Sequence, residues 1–491
     1  MIAWTDIFII GAMLLLVTAA GHLLTGRKVT DMAGYFKGGN NMPWWAVSAS
    51  IIATKISALT FIALPAKVFV DGGNLEYGLL IGGFILGNLL MALIFVKPYY
   101  KENVYSPYDF ISQRIHPNAA VVSRLLFLTG AILSQAVRLL ATAVVLQVIS
   151  GLPMLSCLLI LVAFSVLWSW MGGIQTVIWT DLLLFFIFIL GGIVAVAYAT
   201  AAIELPLPEM LRTLDEHAKT AFLEISLDPR KTYTLWAGLL GASVFELGSN
   251  AIDQVVTQRI MCCRDVRQAR LAVIVSACSV LPSILMLAVG LSLFLFFHQH
   301  PLPEQFAFLR TPGQDGIFPY FVANHIPQGL SGLIIAGMFA AGISTLDSAL
   351  TALSQTTVVG IRSTIGSQTK RTDKQLLKRS RYFVAMWGAV IGGMAVGIHT
   401  FTSGHEKGLI DIGLQVPGFV YGGLLGLALL ALKKNVRWEW AITGALAGCG
   451  TTLLLWAGGI GSFWWYPAAT LVTYVIGYNG SKYYNTAADH R

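Results

Sequence analysis

The chain has 491 residues, of which 56% are apolar and only 11% charged, and its mean hydropathy is +0.71. Soluble domains carry about 25% charged residues, so a water-facing surface is excluded for most of this molecule and lipid is its expected solvent. The net charge of +8 would point to nucleic acid only if the basic residues gathered on a soluble face, and they do not.

In chain order, about thirteen stretches are apolar enough for membrane helices, each needing about 20 residues to cross the hydrocarbon. They lie near 3–24, 43–70, 76–98, 119–150, 152–171, 177–203, 233–257, 269–298, 328–360, 381–402, 408–432, 438–458 and 461–479. Continuous apolar runs exclude a β-barrel, whose strands alternate over about 10 residues. The first run has no basic leader, and Arg27 and Lys28 follow it, so it reads as a retained helix rather than a signal peptide. The five cysteines, Cys157, Cys262, Cys263, Cys278 and Cys449, show neither a disulfide framework nor metal spacing.

With the N-terminus outside, most of the 32 Lys and Arg fall in inside segments. Among these are Lys97, Lys101, Arg114 and Arg124; Arg259, Arg264, Arg267 and Arg270; and the basic loop 361–381. Outside segments hold Arg212, Lys219, Arg230, Lys231, Arg310 and Lys407. The bias predicts a multi-pass inner (plasma) membrane protein with a cytoplasmic C-terminus.

Ionisable groups inside spans are functional candidates because hydrocarbon penalises them. Here they are Lys55, Arg138, Asp181, Glu246, Asp253 and Asp347, with Asp253 close enough to a span end to face water. A purely structural network is the alternative, but helix-weakening sequences sit beside several of them. One is Ser48 to Thr60, small, polar and β-branched, followed by Pro65; another is Gly248-Ser249-Asn250. Irregular backbone at membrane depth must line a cavity or pack inside protein, and two interrupted spans in corresponding halves predict an inverted-repeat transporter. A third signal, Ala341, Ser344, Thr345 and Ser348, occupies one helical face and offers neutral oxygens suited to a hard monovalent cation.

The sequence resembles the sodium:solute symporter family. The resemblance rests on Tyr35-Phe-Lys-Gly-Gly with Pro43-Trp-Trp, Ala53-Thr-Lys-Ile-Ser-Ala-Leu-Thr-Phe61, Trp170-Met-Gly-Gly-Ile-Gln-Thr-Val-Ile-Trp-Thr-Asp181, Asp253-Gln-Val-Val-Thr-Gln-Arg259 and Ala340-Ala-Gly-Ile-Ser-Thr-Leu-Asp-Ser348. It implies an all-α, LeuT-type fold of two five-helix inverted repeats within one transport domain, 1–491. The repeats would be 43–203 and 233–402, with an extra helix and loop in 1–42 and further helices in 408–491. It implies a main sodium site at Ala53, Ile56, Ala341, Ser344 and Thr345. Relatives that carry sialic acid imply a second sodium site at Asp181, Ser344, Asp347 and Ser348, where Asp347 replaces a serine. Arg138 matches their carboxylate-pairing arginine. Lys55 stands where relatives have threonine or asparagine, Ser57 and Thr60 keep their hydroxyls, Gly82 replaces a Gln or Glu, and Leu184 replaces a Gln.

The expectation is sodium-coupled import, by alternating access, of a small carboxylate-bearing solute, sialic-acid or sugar-acid like. Its site would be Lys55, Ser57, Thr60, Arg138, Glu246, Ser249 and Asn250. Lys55 is expected either as a second positive charge for the solute or as the partner of Glu246 or Asp347. A proton-coupled or sodium-independent carrier of a neutral sugar or amino acid, with the Lys55 ammonium in place of the ion, is the alternative on the same fold; a membrane sensor is a weaker one. No nucleic acid and no obligate protein partner are expected. The scattered histidines form no nucleophile–base pair, so the chain does not read as an enzyme.

Overall fold

The computed structural model describes residues 3–25, 41–104, 106–169, 174–365, 373–402 and 407–489. The motif residues Tyr35-Phe-Lys-Gly-Gly and Trp170-Met-Gly-Gly, and positions 366–372 of the basic loop, lie outside the described residues.

The described residues form helices joined by turns and loops, with one isolated bridge between Met42 and Cys263. The principal helices are α1 (Trp4–Thr25), α2 (Trp44–Lys55), α3 (Ala58–Phe69), α4 (Leu80–Ile94), α5 (Pro117–Ser150), α6 (Met154–Ser169), α7 (Ile174–Ala201), α8 (Ser243–Ala251), α9 (Gln254–Ile260), α10 (Val266–Ser276), α11 (Val280–Gln299), α12 (Leu330–Ile365), α13 (Asp373–Thr402), α14 (Leu409–Gln415), α15 (Gly418–Ala431), α16 (Trp438–Ala457) and α17 (Ser462–Asp489). Helix falls on every apolar stretch. Among the described residues eight helical segments are long and apolar enough to cross a bilayer, and the bent pair α2–α3 makes a ninth.

Burial separates central from peripheral helices. The most apolar window of α12 is 83% buried and that of Leu409–Ala431 is 78%, so their apolar surface meets protein. The corresponding windows of α13 and α16 are only 22% and 28% buried, so their apolar faces point outward, where only lipid can cover them.

Lipid gives apolar side chains no reason to prefer each other, so close helix contacts rely on small residues. A Cβ on Gly83 would lie 2.1 Å from the Gly238 carbonyl oxygen. One on Gly87 would lie 2.6 Å from both the Glu246 Cβ and the Ser243 carbonyl oxygen, which clamps α4 against α8. On the other side, a Cβ on Gly342 would meet Thr142 Oγ1 at 2.2 Å, drawing α12 against α5. Lys219, in a loop read as outside, is buried and donates to the Val68, Phe69 and Val70 carbonyls at 2.8, 3.3 and 2.6 Å. It satisfies the open C-terminal end of α3, and burial pulls its amine down to about 8.

Overpacking the α4–α8 contact costs about 1–3 kcal/mol or more. Gly87→Val should therefore lower the thermal unfolding midpoint of the detergent-purified protein by several degrees. Gly393→Ala, where a Cβ meets nothing within 4 Å, should leave the midpoint unchanged or raise it. Equal midpoints for both variants would contradict the close approach.

Candidate functional site

The site is built around a helix that stops in mid-membrane. At Ile56 and Ser57 the backbone turns extended (φ −84°, ψ 100° and φ −105°, ψ 175°), and α3 restarts at Ala58 with a bend of 53°. The local sequence favours this: Thr54 and Ile56 are β-branched, and Pro65 inside α3 removes a further helical hydrogen bond. A helix end leaves carbonyls without partners. The Thr54 carbonyl accepts from Arg138 Nη1 at 3.3 Å. Among the described residues, no backbone or side-chain donor reaches the Ala53 or Ile56 carbonyl.

Those two residues line a cavity of about 10 Å³ with Ala341 and Ser344 of α12, closed on its third side by Leu184, Phe185 and Phe188. That is about the volume of one water-sized occupant, so it fits a single small ion. Leu184, which departs from the usual glutamine, forms part of the apolar wall. The fifth expected member, Thr345, lines the larger neighbouring cavity and donates its hydroxyl to the Ala341 carbonyl at 2.7 Å.

The larger cavity has room for about 150 Å³ and is lined by Lys55, Ser57, Thr60, Arg138, Glu246 and Ser249 among others. Lys55 is not a free cation here. Its ammonium pairs with Glu246 and donates to Asn88 Oδ1 at 2.9 Å. Asn88 Nδ2 donates to Glu246 Oε1 at 2.9 Å, and Asn250 Nδ2 reaches both Asn88 Oδ1 and Glu246 Oε1 at 3.2 Å. Of the two expectations for Lys55, the ion pair with Glu246 is therefore the one formed. Asn250 sits behind the cavity wall, fully buried, and steadies that pair rather than facing the cavity. Sequence reading missed Asn88. Its signal was available as the lone amide in the apolar run of α4, about a turn and a half beyond the glycine pair Gly82-Gly83.

The second interruption falls later than expected. Helix α8 runs through Gly248-Ser249-Asn250 to Ala251, and the chain opens at Ile252–Asp253. Gly248 is buried there, and a Cβ on it would meet Leu425 Cδ2 at 3.7 Å, an ordinary contact. Asp253 terminates the helix by capping the next one: Oδ1 accepts from the Val255 N–H at 2.7 Å, and Oδ2 accepts from Tyr421 at 3.3 Å. It lines the cavity instead of facing bulk water.

Below these groups lies a second buried network. Asp181 Oδ2 accepts from Ser50 Oγ at 2.6 Å and Arg259 Nη2 at 2.9 Å, while Oδ1 accepts from Ser344 Oγ. Arg259 Nη2 also donates to Ser348 Oγ at 2.8 Å, and its Nε donates to Ser50 Oγ at 2.8 Å. Arg259, counted from sequence as an inside-loop charge, is only 1% exposed. Asp347 is buried beside this network, and among the described residues no basic group lies within 4 Å of it. The fold thus gathers Asp181, Ser344, Asp347 and Ser348 around one guanidinium.

Removing one partner of a buried ion pair strands the other charge, at a cost of about 3–5 kcal/mol, whereas removing both is far milder. Lys55→Met and Glu246→Gln should each lower the unfolding midpoint of the purified protein, and the double variant should recover part of the loss. Strict additivity in that cycle would contradict the pairing.

The geometry invites comparison with known proteins. The sodium:solute symporter family model matches residues 35–435. The sodium/sialic acid symporter SiaT of Proteus mirabilis is 24% identical over 460 residues, covering 92% of this chain and 89% of that protein. The sodium-coupled monocarboxylate transporter 2 of Bos taurus is 24% identical, covering 96% of this chain and 75% of its own length. A solved substrate-bound, outward-open Na+-coupled sialic acid symporter superimposes with a TM-score of 0.83 at 22% identity, covering 97% of both chains. The fold is accordingly the LeuT-type helical transporter fold, and the chain belongs to the sodium:solute symporter family, as a sodium-coupled membrane transporter and not an enzyme.

Proposed function

We propose that the protein imports a small carboxylate-bearing solute together with sodium, and that Arg138 anchors the carboxylate. One observation carries the reading. Arg138 lines the larger cavity, its guanidinium donates to the Thr54 carbonyl, and among the described residues no carboxylate lies within 4 Å of it. The other cavity cation, Lys55, is already neutralised by Glu246. A half-buried guanidinium with no carboxylate within 4 Å, and with Asp253 on the same cavity wall acting only from longer range, can still take an anionic ligand, and a two-pronged charge-assisted bond contributes about 1.5–3 kcal/mol. Ser57, Thr60 and Ser249 supply hydroxyls along the same wall.

Sodium at Ala53, Ile56, Ala341, Ser344 and Thr345 would tie the interrupted α2–α3 segment to α12. The Thr54 carbonyl that Arg138 holds sits between two of those ligands in sequence, so an ion there orders the backbone on which the solute anchor rests. Coupling is then a population shift: sodium binds one conformation better, and the same conformation presents the solute site. Asp181 and Asp347 set two carboxyl groups against the single guanidinium of Arg259, which supports a second sodium among Asp181, Ser344, Asp347 and Ser348. The alternative in which the Lys55 ammonium replaces the ion is disfavoured, because that ammonium turns to Glu246 and Asn88 and not to the open carbonyls. The Lys and Arg distribution supports an outside N-terminus and a cytoplasmic C-terminus in an inner or plasma membrane. No protein partner enters this reading.

In proteoliposomes, Arg138→Ala should reduce uptake of a transported carboxylate by at least about 10- to 100-fold while the protein still folds and inserts. Undiminished uptake would remove the carboxylate anchor. Ser344→Ala with Thr345→Ala should raise the half-saturating sodium concentration several-fold. An unchanged sodium curve would count against the main ion site. The wild-type curve should be sigmoidal and become hyperbolic in Asp347→Asn; a wild-type curve that is already hyperbolic would dispose of the second ion.

A further inference from the structure

Helix α5 presents Ala131, Ser134, Gln135 and Arg138 to the larger cavity, at the i, i+3, i+4, i+7 spacing of one helical face. Two of these carry polar atoms that neither the ion pairs nor the sodium site use. Ser134 Oγ and Gln135 Oε1 are buried with no hydrogen-bond partner, and each residue is only 9% exposed. Leaving such a group unpaired costs about 1–3 kcal/mol. For a serine on a helix the remedy is at hand, since the hydroxyl can donate to the carbonyl four residues back. The other four hydroxyls of α5 do so: Ser123 to Ala119, Thr129 to Leu125, Thr142 to Arg138 and Ser150 to Leu146. Ser134 alone on this helix does not, and it is the one of the five that lines the cavity.

Building on the carboxylate reading above, we infer that Ser134 and Gln135 form a recognition subsite beside Arg138 for a hydrogen-bond donor on the carbon next to the solute carboxylate, so that the substrate class is 2-hydroxy or 2-amino carboxylates. An amide oxygen accepts only, so Gln135 Oε1 calls for an O–H or N–H on the ligand, and a serine hydroxyl accepts equally well. Their position one turn from Arg138 sets the donor close to the carboxyl group that Arg138 holds. Glu246, with Lys55, Asn88 and Asn250 closed around it, leaves this donor to α5. Size agrees with a compact solute. At about 10–15 Å³ for each water-sized occupant, a cavity of about 150 Å³ holds on the order of ten non-hydrogen atoms. A site built to pair a ligand O–H or N–H rejects the analogue that lacks it, because its own polar atoms then stay orphaned.

The test uses the purified full-length protein in saturating sodium and a matched panel of short carboxylates, each 2-hydroxy or 2-amino acid beside its unsubstituted acid, lactate and alanine beside propionate among them. The substituted member should bind about 10- to 100-fold more tightly than its plain counterpart. Gln135→Met and, separately, Ser134→Ala should shrink that ratio toward one while the plain acid binds as before. Equal binding of both members by the wild type, with Arg138→Ala abolishing both, would overturn this subsite and leave the carboxylate anchor standing. Binding of no carboxylate in the panel would overturn both. An unchanged ratio in both α5 variants would overturn the assignment to these two residues.

Discussion

Everything at the centre of this molecule follows from two residues, Ile56 and Ser57, that leave helical geometry in the middle of a membrane span. An open carbonyl in hydrocarbon costs several kcal/mol, so an interrupted helix at this depth survives only if something meets its loose ends. Arg138 meets Thr54. The Ala53 and Ile56 carbonyls face an ion-sized cavity shared with Ala341 and Ser344. In the proposed reading the same interruption serves both halves of the transporter: a place where a monovalent cation would complete the backbone, and a guanidinium held one residue away for the solute. The two proposed sites share a peptide segment, and that sharing would be the physical basis for coupling.

Charge is arranged in two layers around this segment. In the upper layer Lys55 and Glu246 cancel, with Asn88 and Asn250 filling their remaining bonds, which leaves Arg138 as the cavity cation with no carboxylate within 4 Å among the described residues. In the lower layer Arg259 serves Asp181, Ser50 and Ser348 at once, and Asp347 adds a second acid. Buried ion pairs seldom add much stability over apolar packing; what they fix is which residues may not meet a ligand. Pairing Lys55 removes a charge that would otherwise attract doubly anionic solutes.

What the sequence made legible was local. The break near Ile56 could be read because β-branched and hydroxyl residues crowd before Pro65 within one span, and the face Ala341, Ser344, Thr345, Ser348 could be read from helical spacing alone. What it hid was non-local. Asn88 belongs to an unremarkable apolar run until α8 is packed against it, 158 residues away in sequence from the Glu246 it bonds. Arg259 looked like one more inside charge because its partner Asp181 lies 78 residues earlier. The second interruption was placed at Gly248-Ser249-Asn250 by propensity, yet tertiary packing carries the helix through those residues and the Asp253 cap sets the break. Helix propensity is a weak prior where neighbours enclose the backbone.

The central claim is that ion and solute share one element, and thermodynamic linkage tests it most directly. Solute affinity of the purified protein should be measured calorimetrically across sodium concentrations, and sodium affinity across solute concentrations. The account predicts that each ligand tightens the other by the same factor, at least several-fold. Affinities that ignore one another would contradict it.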